Sequence, residues 1–153
     1  MTSAAADLGD GQSSLDSSIF IYAYLGQDER KRAIARALVN AAQVERHMMA
    51  SQVLAEVFNR LRRADGLAAP LAEKLVRQEF ARFKLQSATP AVFAGAMRLC
   101  AGTDRHFWGS LIIATCAEHG VKTLYTEDLG PAPHAALGVR LVDPFADLKA
   151  AVP

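Results

Sequence analysis

Three acidic positions in this sequence could do chemistry together: Asp16, Glu56 and the pair Glu127-Asp128. Each lies at or just past an expected strand. Asp16 is at the first, Glu56 is one turn into the helix after "HMMAS" (47–51), and Glu127-Asp128 follow "VKTLYT" (121–126). In open α/β sheets ligands bind beyond the carboxyl ends of the strands. Carboxylates gathered there repel and raise one another's pKa, so the cluster needs a neutralising partner. A hard divalent cation suits that role, and magnesium is commonly held by one or two carboxylates plus a substrate phosphate. Such an ion activates water and offsets charge on a phosphodiester in the transition state. The residues therefore point to metal-assisted phosphodiester hydrolysis. Taken singly, each acid has a plainer reading. Asp16 suits a turn, Glu56 shares a polar stripe with Gln52, Asn59, Arg60 and Arg63, and Asp128 suits a turn cap. Their shared placement at one sheet edge favours a site.

A fourth position is conspicuous for what it lacks. "HFWGSLIIATCAEHG" (106–120) reads as a helix, with Gly109 in its first turn. Glycine in a helix interior costs about 1 kcal/mol relative to alanine, and no kink or cap accounts for it here.

The elements that must position these residues alternate along the chain. "SIFIYAYL" (18–25), apolar with β-branched and aromatic residues, is expected to be a buried strand running into a short turn of helix. Glu29 to Glu45 is helical, with Ile34, Ala37, Leu38, Ala41 and Val44 inward, and "HMMAS" is a short strand. Ser51 then caps a helix that buries Val53, Leu54, Val57, Phe58 and Leu61, and "RRADG" ends it. Pro70 to Lys84 is expected as one amphipathic helix through Leu71, Leu75, Val76, Phe80 and Phe83. Thr89-Pro90 opens another with Val92, Phe93, Ala96, Met97 and Cys100 inward. The Gly109 helix ends at Gly120, and "VKTLYT" and "GVRLVDP" are the last strands. Short buried strands separated by helices predict an α/β/α sandwich with a central parallel sheet.

Composition bounds the partners. A chain of 153 residues, 51% hydrophobic and 22% charged, fits one domain that buries about two-thirds of its unfolded surface. With 17 basic and 16 acidic residues, no global field marks a nucleic-acid binder, so attraction to phosphate must be local. Cys100 and Cys116 lack metal-site spacing and read as buried thiols in a reducing compartment. "MTSAAADLGDGQSS" is no signal peptide, and no stretch reaches the roughly 18 apolar residues of a membrane span. The expectation is a cytoplasmic protein. Residues 1–13 read as a flexible tail with no part in the site, 14–148 as the domain and 149–153 as a second tail.

The blocks "LDSSIFIYAY", "ASQVLAEVFNRL", "HFWGSLIIATCAEHG" and "LYTEDLG", in that order and closed by "LVDPF", resemble a PIN domain over roughly residues 14–148. The sequence is most similar to the VapC-type toxin ribonucleases of toxin–antitoxin pairs. The resemblance implies a parallel sheet wrapped by helices and a Mg2+- or Mn2+-dependent endoribonuclease acting on single-stranded or looped RNA. It also implies an antitoxin that inserts a segment into the active-site groove, and it makes a homodimer the expected assembly. Asp16 matches the family's first acid, with Ser18 where Asn or Ser often orients it. Glu56 matches the second acid, and Asp128 the acid after "T-E", with Thr126 in a supporting position. These three are the expected catalytic and metal-binding residues. The remaining acid should follow "F-W", where this chain has Phe107, Trp108 and then Gly109. On the resemblance, the missing group is a metal-binding carboxylate.

Neighbours offer little to replace it. Asp104 lies five residues earlier, about 7.5 Å along a continuous helix and roughly 140° around it, so it takes that place only if the helix begins later. Ser110 brings a neutral oxygen, His106 reads as a surface or core residue, and Glu127 is usually secondary. Two functions follow: a VapC-like ribonuclease, impaired or not by Gly109, or a non-catalytic PIN-fold protein that binds RNA or an antitoxin. A phosphoacceptor receiver is set aside, because Lys122 opens its strand and no acidic pair follows the first strand. Arg60, Arg62 and Arg63, then Arg77, Arg82 and Lys84, are candidates for flanking phosphates, and Tyr22 and Tyr24 for base stacking.

Overall fold

The computed structural model describes residues 8, 11–64 and 66–150. In chain order it contains β1 (Ser13–Leu15), α1 (Ser17–Leu25), α2 (Glu29–Val44), β2 (Met48–Ala50), α3 (Ser51–Leu61), α4 (Ala69–Phe80) and β3 (Lys84–Gln86). Then come α5 (Pro90–Thr103), α6 (Phe107–Glu118), β4 (Thr123–Tyr125), a 3-10 turn at Pro133–Ala135, β5 (Arg140–Val142) and α7 (Ala146–Ala150). All strand pairings are parallel: β1 with β4, β4 with β5, and β2 with β3. The β2–β3 ladder joins the other at β1, where the Ser14 hydroxyl donates to the Met48 carbonyl at 2.8 Å. Helices flank this central parallel sheet, as expected.

The first strand departs from expectation. "SIFIYAYL" is helical almost throughout, and the strand is the short, serine-rich Ser13–Leu15 before it. A helix packed by α2 and α3 is apolar on most of its surface, and periodicity cannot separate it from a buried strand. Its Phe20 ring lies 4.8 Å from Phe80 and 5.7 Å from Phe83. The serines of β1 tolerate the core because their hydroxyls are satisfied internally. The region from Pro70 to Lys84 also divides. Its helix stops at Phe80, and Lys84–Gln86 pairs with β2 as a half-exposed strand. Some inward assignments shift around their helices. Val44, Phe93 and Met97 are exposed, while Ala35, Val39 and Leu99 are buried. Ser51 is the first helical residue rather than the cap. Thr89 does cap α5, accepting from the Val92 amide at 3.3 Å.

Of the expected tail, residues 1–7, 9 and 10 lie outside the described residues. Leu8 is buried, Ser13 opens β1, and the Gln12 carbonyl accepts from Lys122 and Thr123 amides at 2.8 and 3.2 Å. Deleting residues 1–13 should therefore lower stability. Burying a leucine contributes about 1.5–3 kcal/mol, and each hydrogen bond adds about 0.5–1.5 kcal/mol net. A loss near 3 kcal/mol lowers Tm by roughly 6–12 °C at this chain length. Calorimetry of a chain starting at Ser14 checks this, and an unchanged Tm would show that the segment packs without stabilising the fold. The 149–153 tail falls partly outside the described residues, and its first residues belong to α7.

Candidate active site

The site is set by strand register. Leu15, Tyr125 and Val142 end β1, β4 and β5 side by side. The ladder runs one step further, with Asp16 N donating to Tyr125 O and Thr126 N to Val142 O, both at 2.9 Å. Asp16 and Thr126 are thus neighbours by backbone geometry alone. The Thr126 hydroxyl donates to Asp16 Oδ2 at 2.8 Å and accepts from the Asp128 amide at 3.0 Å. Ser18 donates to the same Asp16 oxygen at 3.3 Å. Ser18 and Thr126 therefore both hold the Asp16 carboxylate by hydrogen bonds.

Glu56 enters from α3. Its carboxylate accepts from Ser17 Oγ at 2.5 Å and from Gln52 Nε2 at 2.9 Å. Ser17 adjoins Asp16 in the chain, so one hydrogen bond ties the second acid to the first. Burial pushes the Asp16 carboxyl above its ordinary pKa, and the Glu56 charge pushes it further; hydrogen bonds from Thr126, Ser17 and Ser18 act the other way. Among the described residues no Lys, Arg or His forms an ion pair with Asp16, Glu56 or Asp128.

Asp16, Thr126 and Asp128 line one cavity of about 220 Å³, and Gly109 and Asp104 line it too. Gly109 thus stands at the site, and a Cβ built on it would meet nothing within 4 Å. Asp104 is in reach because α6 starts only at Phe107: Asp104 is the left-handed C-cap of α5, with φ of 56°. Helical arithmetic from 104 to 109 does not apply across that bend. Asp128 is exposed and accepts from the Gly130 amide at 3.0 Å. Glu56 borders a neighbouring open groove with Gln52, Ala55, Asn59 and Trp108.

Sequence reasoning passed over Arg105. It is 8% exposed, lines the same cavity, and its guanidinium donates to the Leu129 carbonyl. Gly130 has φ of 56°, a left-handed conformation that favours glycine, and a Cβ there would press on the Arg105 guanidinium, which would have to shift. A lone arginine in the three-residue connection between α5 and α6 carries no periodic signal, and only the folded loop reveals its role. Other candidates leave the site. Glu127 is held by Lys31 at 2.6 Å and by the Tyr22 hydroxyl at 2.5 Å. Tyr22 packs edge-on to Phe145 and Tyr24 bonds Glu79, so neither offers a free ring for a base. Ser110 turns inward to the His106 carbonyl. Cys116 is buried, which pushes its thiol up to about 12, and Cys100 is half-buried; both are free.

The donor set can be tested against a metal ion. Among the described residues no group of three His, Cys, Asp or Glu side chains is placed to hold one. Asp16 and Glu56 remain a hydrogen-bonded carboxylate pair, which suits one ion completed by water and substrate phosphate. Position 109 contributes no side-chain oxygen to the cavity that Asp16, Asp104 and Asp128 line.

Comparison with known proteins agrees with this architecture. The family profile for the PIN domain matches residues 14–134. The crystal structure of FitAcB from Neisseria gonorrhoeae is similar, with a TM-score of 0.66 and 21% identity, covering 87% of this chain and 98% of that one. At that identity the likeness shows the fold. No curated protein matched the sequence.

Proposed function

Because the chain belongs to the PIN domain family, whose members are generally metal-dependent nucleases, we propose that it is a VapC-like toxin, an endoribonuclease cleaving single-stranded or looped RNA. The observation that carries the reading is the Asp16–Thr126–Asp128 chain of hydrogen bonds at aligned strand ends, with Glu56 tied in through Ser17. Asp16 and Glu56 would hold a Mg2+ or Mn2+ ion, and Asp128 faces the same cavity as Asp16. When bound, the ion supplies an activated water and offsets charge on the phosphodiester. The protein's own part is orientation. Thr126 and Ser18 fix the Asp16 carboxylate, Ser17 and Gln52 fix Glu56, and exposed Arg60 at the end of α3, with Arg62 and Arg63 just past it, offers charge to flanking phosphates.

The natural partner on this reading is an antitoxin whose segment covers the acids. Exposed Trp108 borders the Glu56 groove, and Phe93 and Met97 add apolar surface on α5. We place the protein in the cytoplasm, as a homodimer; among the described residues no helix is long and apolar enough to cross a membrane. The non-catalytic alternative is favoured by Gly109. An unstructured RNA oligonucleotide incubated across a manganese titration decides between them. Metal-dependent, chelator-sensitive cleavage supports the nuclease, whereas tight RNA binding without cleavage at any manganese concentration supports the binding protein.

A further inference from the structure

The cavity at Gly109 has a second character that the acids do not use. Helix α6 begins there without a side-chain cap: His106 makes no cap hydrogen bond. Its first backbone bond runs from Ser110 N to His106 O at 3.1 Å, so the amides of Phe107, Trp108 and Gly109 precede the ladder. Such amides, with the helix dipole behind them, favour an anion. Arg105 is the independent observation. It is buried to more than nine-tenths, lines this cavity, has no carboxylate partner among the described residues, and its Nε finds no hydrogen-bond partner. A buried guanidinium without an anion is costly, and its fork geometry suits phosphate. The open space over Gly109 lets a phosphate oxygen approach the backbone, where any side chain would intervene.

We propose that the start of α6, with Arg105 and Gly109, is a phosphate-binding subsite that seats an RNA backbone phosphate where a relative with an acid would hold metal. Asp16, Asp104 and Asp128 share the cavity and oppose a free anion. The phosphate is therefore held best with a cation on the acids, the arrangement magnesium adopts with carboxylates and substrate phosphate. The RNA assignment rests on the nuclease reading; the phosphate chemistry does not.

Trp108 is the only tryptophan in the chain and adjoins Gly109, so its fluorescence reports on this place without a label. Inorganic phosphate is titrated at constant ionic strength, with manganese and with chelator, while amide shifts of residues 107–109 are followed by NMR. The parent should show a saturable response centred on those amides. With chelator, where no manganese can bridge it to phosphate, Gly109→Asp should weaken the response at least tenfold by filling the space with negative charge. Arg105→Met should weaken it similarly; because Arg105 also holds the Leu129 loop, Gly109→Asp keeps the test valid if that variant fails to fold. Gly109→Ala should fall between. Absence of a saturable response in both buffers, or parent-like affinity in Gly109→Asp under chelator, overturns the proposal. A single-stranded RNA oligonucleotide should displace phosphate at lower concentration; failure to displace it overturns the RNA assignment. RNA cleavage is scored in the same samples. Cleavage without a phosphate response sinks this inference alone, and a phosphate response without cleavage sinks only the nuclease.

Discussion

Gly109→Asp should bind manganese at least tenfold more tightly than the parent, about 1.4 kcal/mol of added affinity. The new carboxylate enters open space beside Asp16 and Asp128, so nothing must move to admit it. Three effects set the stability of the metal-free variant. Replacing glycine by aspartate within a helix gains only about 0.3 kcal/mol, because aspartate is itself a poor helix former, and an acid in the first turn gains about 0.3–1 kcal/mol from the dipole. Repulsion from Asp16, Asp104 and Asp128 opposes both, so the metal-free Tm should change little. With metal the repulsion becomes coordination, and the ligand stabilises the native state by mass action. Isothermal titration with manganese, paired with calorimetric scans, separates these terms. Equal affinity in parent and variant would show that position 109 does not face the ion.

Asp16→Asn should have opposite effects with and without metal. The folded-state pKa of Asp16 is raised, first by burial and then by Glu56. A raised carboxyl means that the folded chain holds this proton more firmly than the unfolded chain. Stability is therefore lost as pH rises from the unfolded value near 3.8 through the folded value, and the penalty is constant above it. Asparagine removes that penalty while keeping an oxygen to accept from Thr126. Substitutions that relieve a functional site commonly gain about 0.5–2 kcal/mol, or roughly 1–8 °C here at about 2–4 °C per kcal/mol. The gain should appear at neutral pH and vanish below about pH 4, where both forms are neutral. Adding manganese should reverse the order, since only the parent gains from it, and RNA cleavage should fall by at least a hundredfold, about 2.7 kcal/mol of barrier. A parent and variant with identical Tm profiles from pH 3 to 8 would mean that Asp16 is not strained by its neighbours.

Much of this site was legible in the sequence because it follows rules that act locally. Asp128 after "LYT", Glu56 one turn beyond "HMMAS" and Gly109 after "F-W" keep their order along the chain, and the parallel register brings Asp16 beside Thr126. What stayed hidden depends on tertiary contact. Helix α1 read as a strand because α2, α3 and the aromatic cluster around Phe20 cover it on several sides, leaving little polar stripe to reveal its period. Strand β3 was absorbed into the preceding helix because Lys84-Leu85-Gln86 is short and half-exposed. Arg105 was unreadable, and Asp104 readable only on the condition that α6 begins late, for a third reason. Their meaning lies in the turn between α5 and α6, where a positive φ at Asp104 redirects the chain into the cavity.

The aligned ends of β1, β4 and β5 carry a consequence for how such a protein can change. Asp16 and Thr126 take their positions from main-chain hydrogen bonds, which do not depend on which side chains occupy those places. Buried Leu15, which helps secure the strands, does not line the cavity, whereas Leu124 packs the strands and lines the cavity as well. Position 109 shows how far chemistry and packing separate: a side chain there would meet nothing within 4 Å, so its charge can change without disturbing the packing. Arg105 is different, because its guanidinium also holds the Leu129 carbonyl. Mutation can explore the rim of this sheet at little risk to the scaffold, trading one ligand charge for another.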